Sequence, residues 1–344
     1  MGACAAPAPD TILVNGRIFT ANPEQPWAEA LAVRGERIVG VGDDATISGA
    51  AGDRTVRVAL GGRTVVPGFN DAHLRMSDAS VDAARRLGAD ALAQGLTSIQ
   101  VYAAGAVSDT VRAFREADHP LRIRVARMPM PDASGVNRDS RPFFPPQPGP
   151  RLDVRGMGFE LGGADTGRLQ QAVGWAYGTE DPLAVRPLDS PTVEAYIAAL
   201  EAHGAADVWR AKRPRLERPQ VLPENAGQRL QRLGVVIVQA PGQGVPLQSV
   251  LAAGLPLALA SGESSGGFAV IARATRASLA DERLTWEEAV TAYTRGSARA
   301  ESTDAQKGHL SVGAFADLSV QSADGTSSVL TMIGGRLVYN VLRP

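Results

Sequence analysis

The chain has 344 residues, of which 44% are hydrophobic and 21% are charged, and its formal net charge is −1. It is long enough to bury a large core as two domains or as one α/β barrel, and its balanced charge gives no reason to expect nucleic acid or an anionic membrane surface as a partner. No apolar run reaches the roughly 20 residues that span a bilayer, and the single cysteine, Cys4, excludes an internal disulfide and a cysteine-based zinc site.

The N-terminal segment "MGACAAPAPD" allows two interpretations of where the protein resides. It contains no apolar stretch like that of a signal peptide, so the chain as written is expected to be cytoplasmic. Gly2, Ala3 and Cys4 nevertheless resemble the end of a bacterial lipoprotein processing site. If translation begins upstream, we expect Cys4 to carry a lipid and the protein to be exported.

Two regions at opposite ends of the chain are predicted to be rich in β-strands. Residues 11–66 contain short β-branched runs, and these are separated by Asn-Gly, Arg-Gly and Gly-Asp pairs that are typical of hairpins. The same pattern returns in residues 316–340. We therefore predict one small sheet assembled from both termini, in a β-sandwich-like domain that comprises residues 10–66 plus 308–342.

Between these regions, short apolar runs alternate with helical stretches rich in Ala and Leu, which predicts parallel βα units. Eight strands are predicted, at "TVVPGF", "TSIQVYA", "LRIRVARM", "VRGMGFEL", "DPLAVRP", "PRLERPQ", "GVVIVQA" and "LPLALAS". Helices are predicted at residues 79–94, 190–204, 224–234 and 285–300. Eight such units in roughly 240 residues match an α/β fold of the (β/α)8 TIM-type barrel class, which we assign to residues 67–307. The Pro-rich stretch at residues 129–153 is predicted to be a loop over the barrel mouth.

The stretch "PGFNDAHLRM", residues 67–76, looks like half of a metal site. Two histidines separated by one residue on a strand share a face and can hold one ion, but here the pair is His73 and Arg75. The other histidines, at positions 119, 203 and 309, have no partners at metal-ligand spacing. His73 is therefore either a surviving metal ligand or a structural or exposed histidine.

Five stretches together resemble the amidohydrolase superfamily, in particular its amidohydrolase-3 branch of metal-dependent hydrolases. They are "DTILVNGRIFTANPEQPWAEALAVRGERIVGVG", "VVPGFNDAHL", "LPENAGQRLQRLGVVIVQ", "LTWEEAVTAYT" and "FADLSV…IGGRLVYN". They reach from residue 10 to residue 340, so the resemblance implies a barrel with a composite β domain. It also implies a hydrolase that acts on carbon–nitrogen bonds other than peptide bonds, with one or two divalent metals in the barrel. Compared with that branch, a long insert is missing from the segment at residues 77–94.

The resemblance further implies where metal ligands would lie, and most of those positions hold other residue types here. The family places His-x-His after strand one, a lysine at the end of strand four, histidines at the ends of strands five and six, and a water-activating aspartate at strand eight. The corresponding positions in this sequence are His73 with Arg75, Gly158, Arg186, Arg218, and Gly262 with Glu263 beside it. Only His73 keeps a residue type that the family uses.

Arginine cannot take the place of a histidine ligand, because a guanidinium has no lone pair to offer and does not deprotonate. A divalent ion about 4 Å from one guanidinium, at an effective dielectric constant near 20, is disfavoured by on the order of 8 kcal/mol. We therefore expect no metal site of the family's kind and no resident cofactor. Zinc or another divalent metal, with His73 as a ligand, is expected only if the chain is an active hydrolase.

Two arrangements of the arginines remain open. If Arg75, Arg186 and Arg218 converge, they form a cationic cup suited to a carboxylate or phosphate, and His73 and Glu263 would line the same ligand site. Alternatively, each arginine is paired with a nearby acid and fills the space that metals occupy in relatives. The acids considered for this second arrangement are Asp71, Asp189, Glu217 and Glu263.

No catalytic pair stands out in the sequence. Asp71, Glu160, Glu217 and Glu263 could act as acids or bases, but their spacing singles out no two of them. No Gly-x-Ser-x-Gly elbow surrounds Ser261, Ser264 or Ser265.

Three functions remain open. The first, which we favour, is a metal-free pseudoenzyme that binds a small anionic molecule at the barrel mouth. The second is an active metal-dependent hydrolase, and the third is a decayed protein without selected activity. The oligomeric state is not predicted.

Overall fold

The structure is a computed structural model. It describes residues 7–103, 105–127, 149, 151–163, 166–262, 266–277, 279 and 282–342. The described strands fall into three groups along the chain. The first group is β1 (Thr11–Val14), β2 (Arg17–Phe19), β3 (Trp27–Ala28), β4 (Ala30–Arg34), β5 (Arg37–Gly42), β6 (Val56–Ala59) and β7 (Thr64–Pro67). The second is β8 (Phe69–Met76), β9 (Leu96–Ala103), β10 (Arg122–Arg127), β11 (Leu152–Leu161), β12 (Leu183–Pro187), β13 (Arg215–Glu217), β14 (Val236–Gln239) and β15 (Leu257–Leu259). The third is β16 (Leu318–Gln321), β17 (Ser328–Ile333) and β18 (Arg336–Asn340).

Helices connect most strands of the second group. In chain order, the described helices are α1 (Asp44–Gly49), which lies between β5 and β6 of the first group, followed by α2 (Val81–Ala93), α3 (Val107–Ala117), α4 (Thr166–Gly178), α5 (Ser190–His203), α6 (Ala206–Lys212), α7 (Ala226–Leu233), α8 (Leu247–Ala252), α9 (Phe268–Thr275), α10 (Trp286–Thr291) and α11 (Ser297–Ala300), with a π-helical turn at Ala292–Gly296. The four predicted helices are confirmed to within two residues at their ends. Within the described ranges, no helix is both long enough and apolar enough to cross a membrane.

The second group of strands forms the barrel. Its eight parallel strands are ordered from β8 to β15 in sequence, and a parallel bridge between Leu74 and Gly262 links the two edges. Apolar side chains on the outer faces of the strands and the inner faces of the helices share one large hydrophobic core. The predicted TIM-type barrel is confirmed, because consecutive parallel strands joined by helices and closed on themselves define that fold.

The two chain ends together form the small β region. One sheet has the order β5-β4-β1-β6, and the other has the order β18-β17-β16-β7-β2-β3. In the second sheet, β16 pairs antiparallel with β7, so the C-terminal strands lie directly against the N-terminal ones. A domain built from both termini is confirmed, but the single sheet that we predicted is wrong, since β1, β4, β5 and β6 pair with one another in a separate layer.

The predicted first barrel strand, "TVVPGF", is also placed wrongly by several residues. It breaks at Gly68, where β7 of the small region ends and β8 of the barrel begins. A Cβ atom on Gly68 would lie 2.2 Å from the side chain of Thr97, so only glycine allows the chain to pass this close to β9. As a consequence, His73 and Arg75 lie on the first barrel strand and not after it.

Successive side chains of β9 mark three levels inside the barrel. Ser98 accepts a hydrogen bond from Lys307 near the amino-terminal end of the strands, and Gln100 accepts one from Arg215 at mid-height. Tyr102 donates a hydrogen bond to Glu217 near the carboxyl-terminal end. Successive residues of a strand point to opposite faces, so these three alternate residues share one face, and their contacts show that this face points into the barrel. The barrel interior is therefore polar at all three levels.

Candidate active site

His73 lies near the carboxyl end of β8 and is almost completely buried. Its Nδ1 donates a hydrogen bond to Oε2 of Glu217 at 3.0 Å, and its ring is stacked on Tyr102 with centroids 4.0 Å apart. Among the described residues, the ring of His73 forms its only hydrogen bond with Glu217, a carboxylate of the barrel wall. This contact fixes both the orientation of the ring and the nitrogen that carries its proton.

Glu217 is the centre of a buried charged network at this level. Its Oε1 accepts a hydrogen bond from the hydroxyl of Tyr102 at 3.1 Å and lies 2.6 Å from Nη2 of Arg215. Arg215 also donates to the backbone oxygen of Ala72 at 2.6 Å. Burial alone would raise the pKa of Glu217, but the Arg215 guanidinium and the hydrogen bonds from His73 and Tyr102 lower that pKa below its ordinary value. Glu217 is thus an ionised structural acceptor.

Asp71 is a second buried carboxylate, and it joins the first and last strands of the barrel. It accepts hydrogen bonds from the backbone N–H groups of His73 at 3.1 Å and Ser261 at 3.2 Å, and from the hydroxyl of Tyr293 at 3.0 Å. Burial raises the pKa of Asp71, although these hydrogen bonds act in the opposite direction. These hydrogen bonds tie β8 to the segment after β15 and to the π-helical turn, so Asp71 helps to close the barrel.

At the barrel mouth, two arginines share one acid. Nη1 of Arg186 lies 2.8 Å from Oε1 of Glu160, and Nη1 of Arg75 lies 3.4 Å from the same oxygen. The side chains of Arg75, Arg186 and Glu160 are 42%, 28% and 25% exposed. Glu160 and Arg186 are register partners on neighbouring strands, which explains their contact. We call these three residues the mouth cluster.

The other residues singled out from the sequence do not join the mouth cluster, and one of them lies outside the residues that the structure describes. Arg218 is buried, has a φ of 47°, and its Nη1 lies 3.5 Å from Oε1 of Gln243. Asp189 caps α5 by accepting from the backbone of Thr192 at 2.9 Å. Glu263 lies outside the described residues. Of the three arginines, the structure therefore brings Arg75 and Arg186 together on one acid, and that acid is Glu160 rather than any of the four named for pairing.

A comparison with known families decides the descent of the chain. A model of the amidohydrolase family (Amidohydro_3) matches residues 77–339, which is most of the sequence. The chain belongs to the amidohydrolase family. This confirms the resemblance seen in the sequence motifs.

Solved structures of similar fold cover nearly the whole of this amidohydrolase. A triazine hydrolase from Arthrobacter aurescens is 17% identical with a TM-score of 0.78, and the match covers 97% of this chain and 95% of that one. An adenosine deaminase from Xanthomonas campestris with bound zinc is 17% identical with a TM-score of 0.73, covering 97% and 94%. Guanine deaminase from E. coli is 16% identical with a TM-score of 0.72, covering 96% and 100%. At these identities the likeness supports the fold alone.

One curated relative matches a short part of the chain. It is "Protein LONG AFTER FAR-RED 3" from Arabidopsis thaliana, which is 40% identical over 76 residues. The match covers 22% of this amidohydrolase and 13% of the plant protein. The chain therefore aligns with only a small fraction of that relative's length.

The side chains present do not fit the divalent metals that this family implies. Nδ1 of His73 is engaged by Glu217, and the strand-four and strand-eight positions, Gly158 and Gly262, offer no side-chain donor. In the described parts of the chain, no three His, Cys, Asp or Glu side chains come close enough together to hold a metal ion. Two guanidiniums also stand at the mouth, where their charge opposes a cation.

Sequence reasoning missed the residues that hold His73 in place. Tyr102 and Arg215 were read only as parts of strands, yet both contact Glu217. A signal was available, because Arg215 and Glu217 are two residues apart in a strand and must share a face. A strand of a barrel whose inward positions are charged predicts an internal ion pair.

Proposed function

We propose that this amidohydrolase-family chain is a metal-independent binding protein that holds a small anion at the barrel mouth and does not hydrolyse it. The observation that carries the proposal is the mouth cluster, in which Arg75 and Arg186 converge on a single oxygen of Glu160. Two guanidiniums with one carboxylate leave a positive charge at an accessible position. Small carboxylates and phosphates match such a group of donors.

The geometry of the mouth cluster leaves hydrogen-bonding capacity for a guest. Each guanidinium carries five N–H donors, and the ion pairs with Glu160 use Nη1 of each arginine. All three side chains are partly exposed, so an anion can approach them without unfolding the mouth. A carboxylate bound between the two arginines would neutralise the one positive charge that Glu160 leaves uncompensated.

The two buried carboxylates described above are poorly placed to act as a base in hydrolysis. The lowered pKa of Glu217 makes it a weak proton acceptor near neutral pH, and its oxygens are already occupied by His73, Tyr102 and Arg215. Asp71 accepts its hydrogen bonds from the protein frame. Binding without turnover is therefore the function that the side chains support best.

The proposal is tested by calorimetric titration with a panel of small carboxylates and inorganic phosphate. We expect saturable binding to the intact protein and a dissociation constant about tenfold or more weaker in Arg75→Gln and Arg186→Gln, because each loses a charge-assisted hydrogen bond. Arg85→Gln is the control, since Arg85 is exposed on α2, where it contacts Asp82 and the backbone oxygen of Glu116. Equal affinities in all three variants would refute a site at the mouth.

The two other functions predict different outcomes. An active metal-dependent hydrolase of carbon–nitrogen bonds predicts near-stoichiometric, tightly bound metal in protein purified with added zinc or manganese, and that result would overturn the proposal. A decayed protein without selected activity predicts no saturable ligand anywhere in the panel.

A further inference from the structure

A cavity lies at the amino-terminal end of the barrel strands, opposite the mouth cluster. It has a volume of ≈ 240 Å³ and is lined by the first residues of β10 and β11 and by the segment that follows α11. We call it the base pocket and define it by its five cationic side chains, Arg122, Arg124, Arg151, Arg155 and Lys307.

Three of these cations are held by carboxylates. Arg122 forms a two-point contact with Asp317, through Nε at 2.7 Å and Nη2 at 3.1 Å. In a separate contact, Nη2 of Arg155 lies 2.6 Å from Asp153. Deeper in the pocket, Nζ of Lys307 lies 2.9 Å from Glu301. Each of these three acids forms an ion pair with one cation, and two further arginines of the pocket, Arg124 and Arg151, remain.

The two further arginines are under-compensated. Arg124 donates to the backbone oxygen of Glu301 at 2.7 Å, but its Nη2 is 3.5 Å from Asp153 and 3.9 Å from Glu301, which are already engaged. Arg151 is exposed and forms no ion pair with any residue that the structure describes. Burial lowers the pKa values of Arg124 and Lys307, although the nearby carboxylate of Glu301 acts in the opposite direction.

One buried donor in the pocket also lacks a partner. The Nε–H of Arg124 donates to no partner among the described residues, and the residue is only 6% exposed. An unmet buried donor on a charged group costs free energy, and an anion inside the pocket would satisfy it. The cavity volume suits an anion of a few heavy atoms.

We propose that the base pocket binds a small dianion, either inorganic phosphate or a short dicarboxylate. Among the described residues, these five cations are accompanied by three carboxylates, two in the pocket lining and a third, Asp317, paired with Arg122, so two negative charges restore the balance. Arg124 supplies the deep donor and Arg151 the outer one. Both ligand types offer paired oxygens to guanidiniums, and the experiment below separates them.

The base pocket is separate from the mouth cluster. The middle level of the barrel is closed by Arg215, which bonds to both Gln100 and the backbone of Ala72. Arg122 of the base pocket begins β10, whereas Arg186 lies one residue before the end of β12. The inference therefore does not depend on the proposed function, and each can fail alone.

The test is thermal unfolding and calorimetric titration of the full chain with sodium phosphate, sodium succinate and sodium chloride at matched ionic strength. We expect phosphate or succinate, but not chloride, to raise Tm by on the order of 2 °C near saturation. In Arg151→Gln/Arg155→Gln, we expect the dissociation constant to weaken about tenfold or more. This double variant leaves the buried Arg124 intact, so the fold is preserved.

Two controls make the outcome decisive. Arg57→Gln/Arg85→Gln removes the same charge from exposed positions and is expected to bind like the original chain. The second control repeats the titrations with Arg75→Gln/Arg186→Gln, which removes the mouth cluster and is expected to keep the saturable site of the base pocket. A Tm rise that is equal in both double variants indicates a general salt effect and overturns the inference. Binding that is lost in Arg75→Gln/Arg186→Gln and kept in Arg151→Gln/Arg155→Gln places the anion only at the mouth and also overturns it. The absence of any saturable phosphate or succinate binding does the same.

Discussion

At the scale of single residues, a buried charged network holds the side chain of His73 in place. His73 is held by Glu217, and Glu217 is held in turn by Arg215 and Tyr102. A buried charge of this kind is tolerable only while its partners are present, because desolvation is expensive for an unpaired ion. The stability of the barrel should therefore depend strongly on the ionised form of Glu217.

Glu217→Gln should destabilise the protein by about 3–5 kcal/mol, because it leaves the buried guanidinium of Arg215 without its carboxylate. The free energy of unfolding in urea measures this loss. Glu201→Gln is the matched control, since Glu201 pairs with Arg229 and Arg232 at partly exposed positions and should cost about 1 kcal/mol or less. A loss of similar size in both variants would contradict the buried network.

The same variant should show a defined pH dependence. The folded-state pKa of Glu217 lies below its ordinary value of 4.5, so the unfolded chain binds more protons on acidification. The stability that Glu217 contributes is therefore fully present above about pH 5 and is lost as the pH falls through the lower folded pKa. Urea unfolding should show the difference in unfolding free energy between the original chain and Glu217→Gln narrowing as the pH falls below about 5. A gap that widens on acidification would show the opposite pKa shift.

At the scale of elements, Gly68 decides where the small region ends and the barrel begins. Its backbone N–H donates to the backbone oxygen of Asp317 at 2.9 Å, and the N–H of Phe69 donates to Gly95 at 3.0 Å. One residue thus separates pairing with the C-terminal segment from pairing with the barrel. A side chain at this position has no room because Thr97 is in contact.

Gly68→Ala should destabilise the protein by about 1–3 kcal/mol, since the added methyl group would overlap the buried side chain of Thr97. Gly49→Ala is the control, because nothing lies within 4 Å of the corresponding Cβ in α1. It should be neutral or slightly stabilising. Chemical denaturation of both variants gives the comparison. Equal stabilities would mean that the chain passes β9 less closely than the structure indicates.

This element also shows why the fold was more predictable than the site. Alternating apolar runs and helical stretches are local signals, and seven of the eight strands that they predict agree with barrel strands to within three residues at their ends, whereas the first is misplaced. The contact of Arg186 with Glu160 depends on the register between β11 and β12, which local patterns do not encode. The break at Gly68 depends on Thr97, a neighbour in space that is remote in sequence. The positions of single strands could therefore be predicted from the sequence, but the contacts between neighbouring strands could not.

At the scale of the whole molecule, the barrel and the small region share buried polar contacts. Asp317, just before β16, accepts from Arg122 at the start of β10 and from the backbone N–H of Gly334 at 2.8 Å. Thr331 of β17 donates to the backbone oxygen of Leu92 at 2.8 Å. Such contacts couple the unfolding of one part to that of the other.

Asp317→Ala should therefore lower a single, shared thermal transition and not a transition of the small region alone. The substitution leaves Arg122 buried without its carboxylate, for a loss of about 3–5 kcal/mol and a fall in Tm on the order of 5 °C or more. Differential scanning calorimetry provides the measurement. Asp324→Ala, at an exposed turn where the carboxylate accepts from Ser322 and Thr326, should change Tm little. Two separate transitions, with only one of them shifted by Asp317→Ala, would show that the barrel unfolds independently of the chain ends.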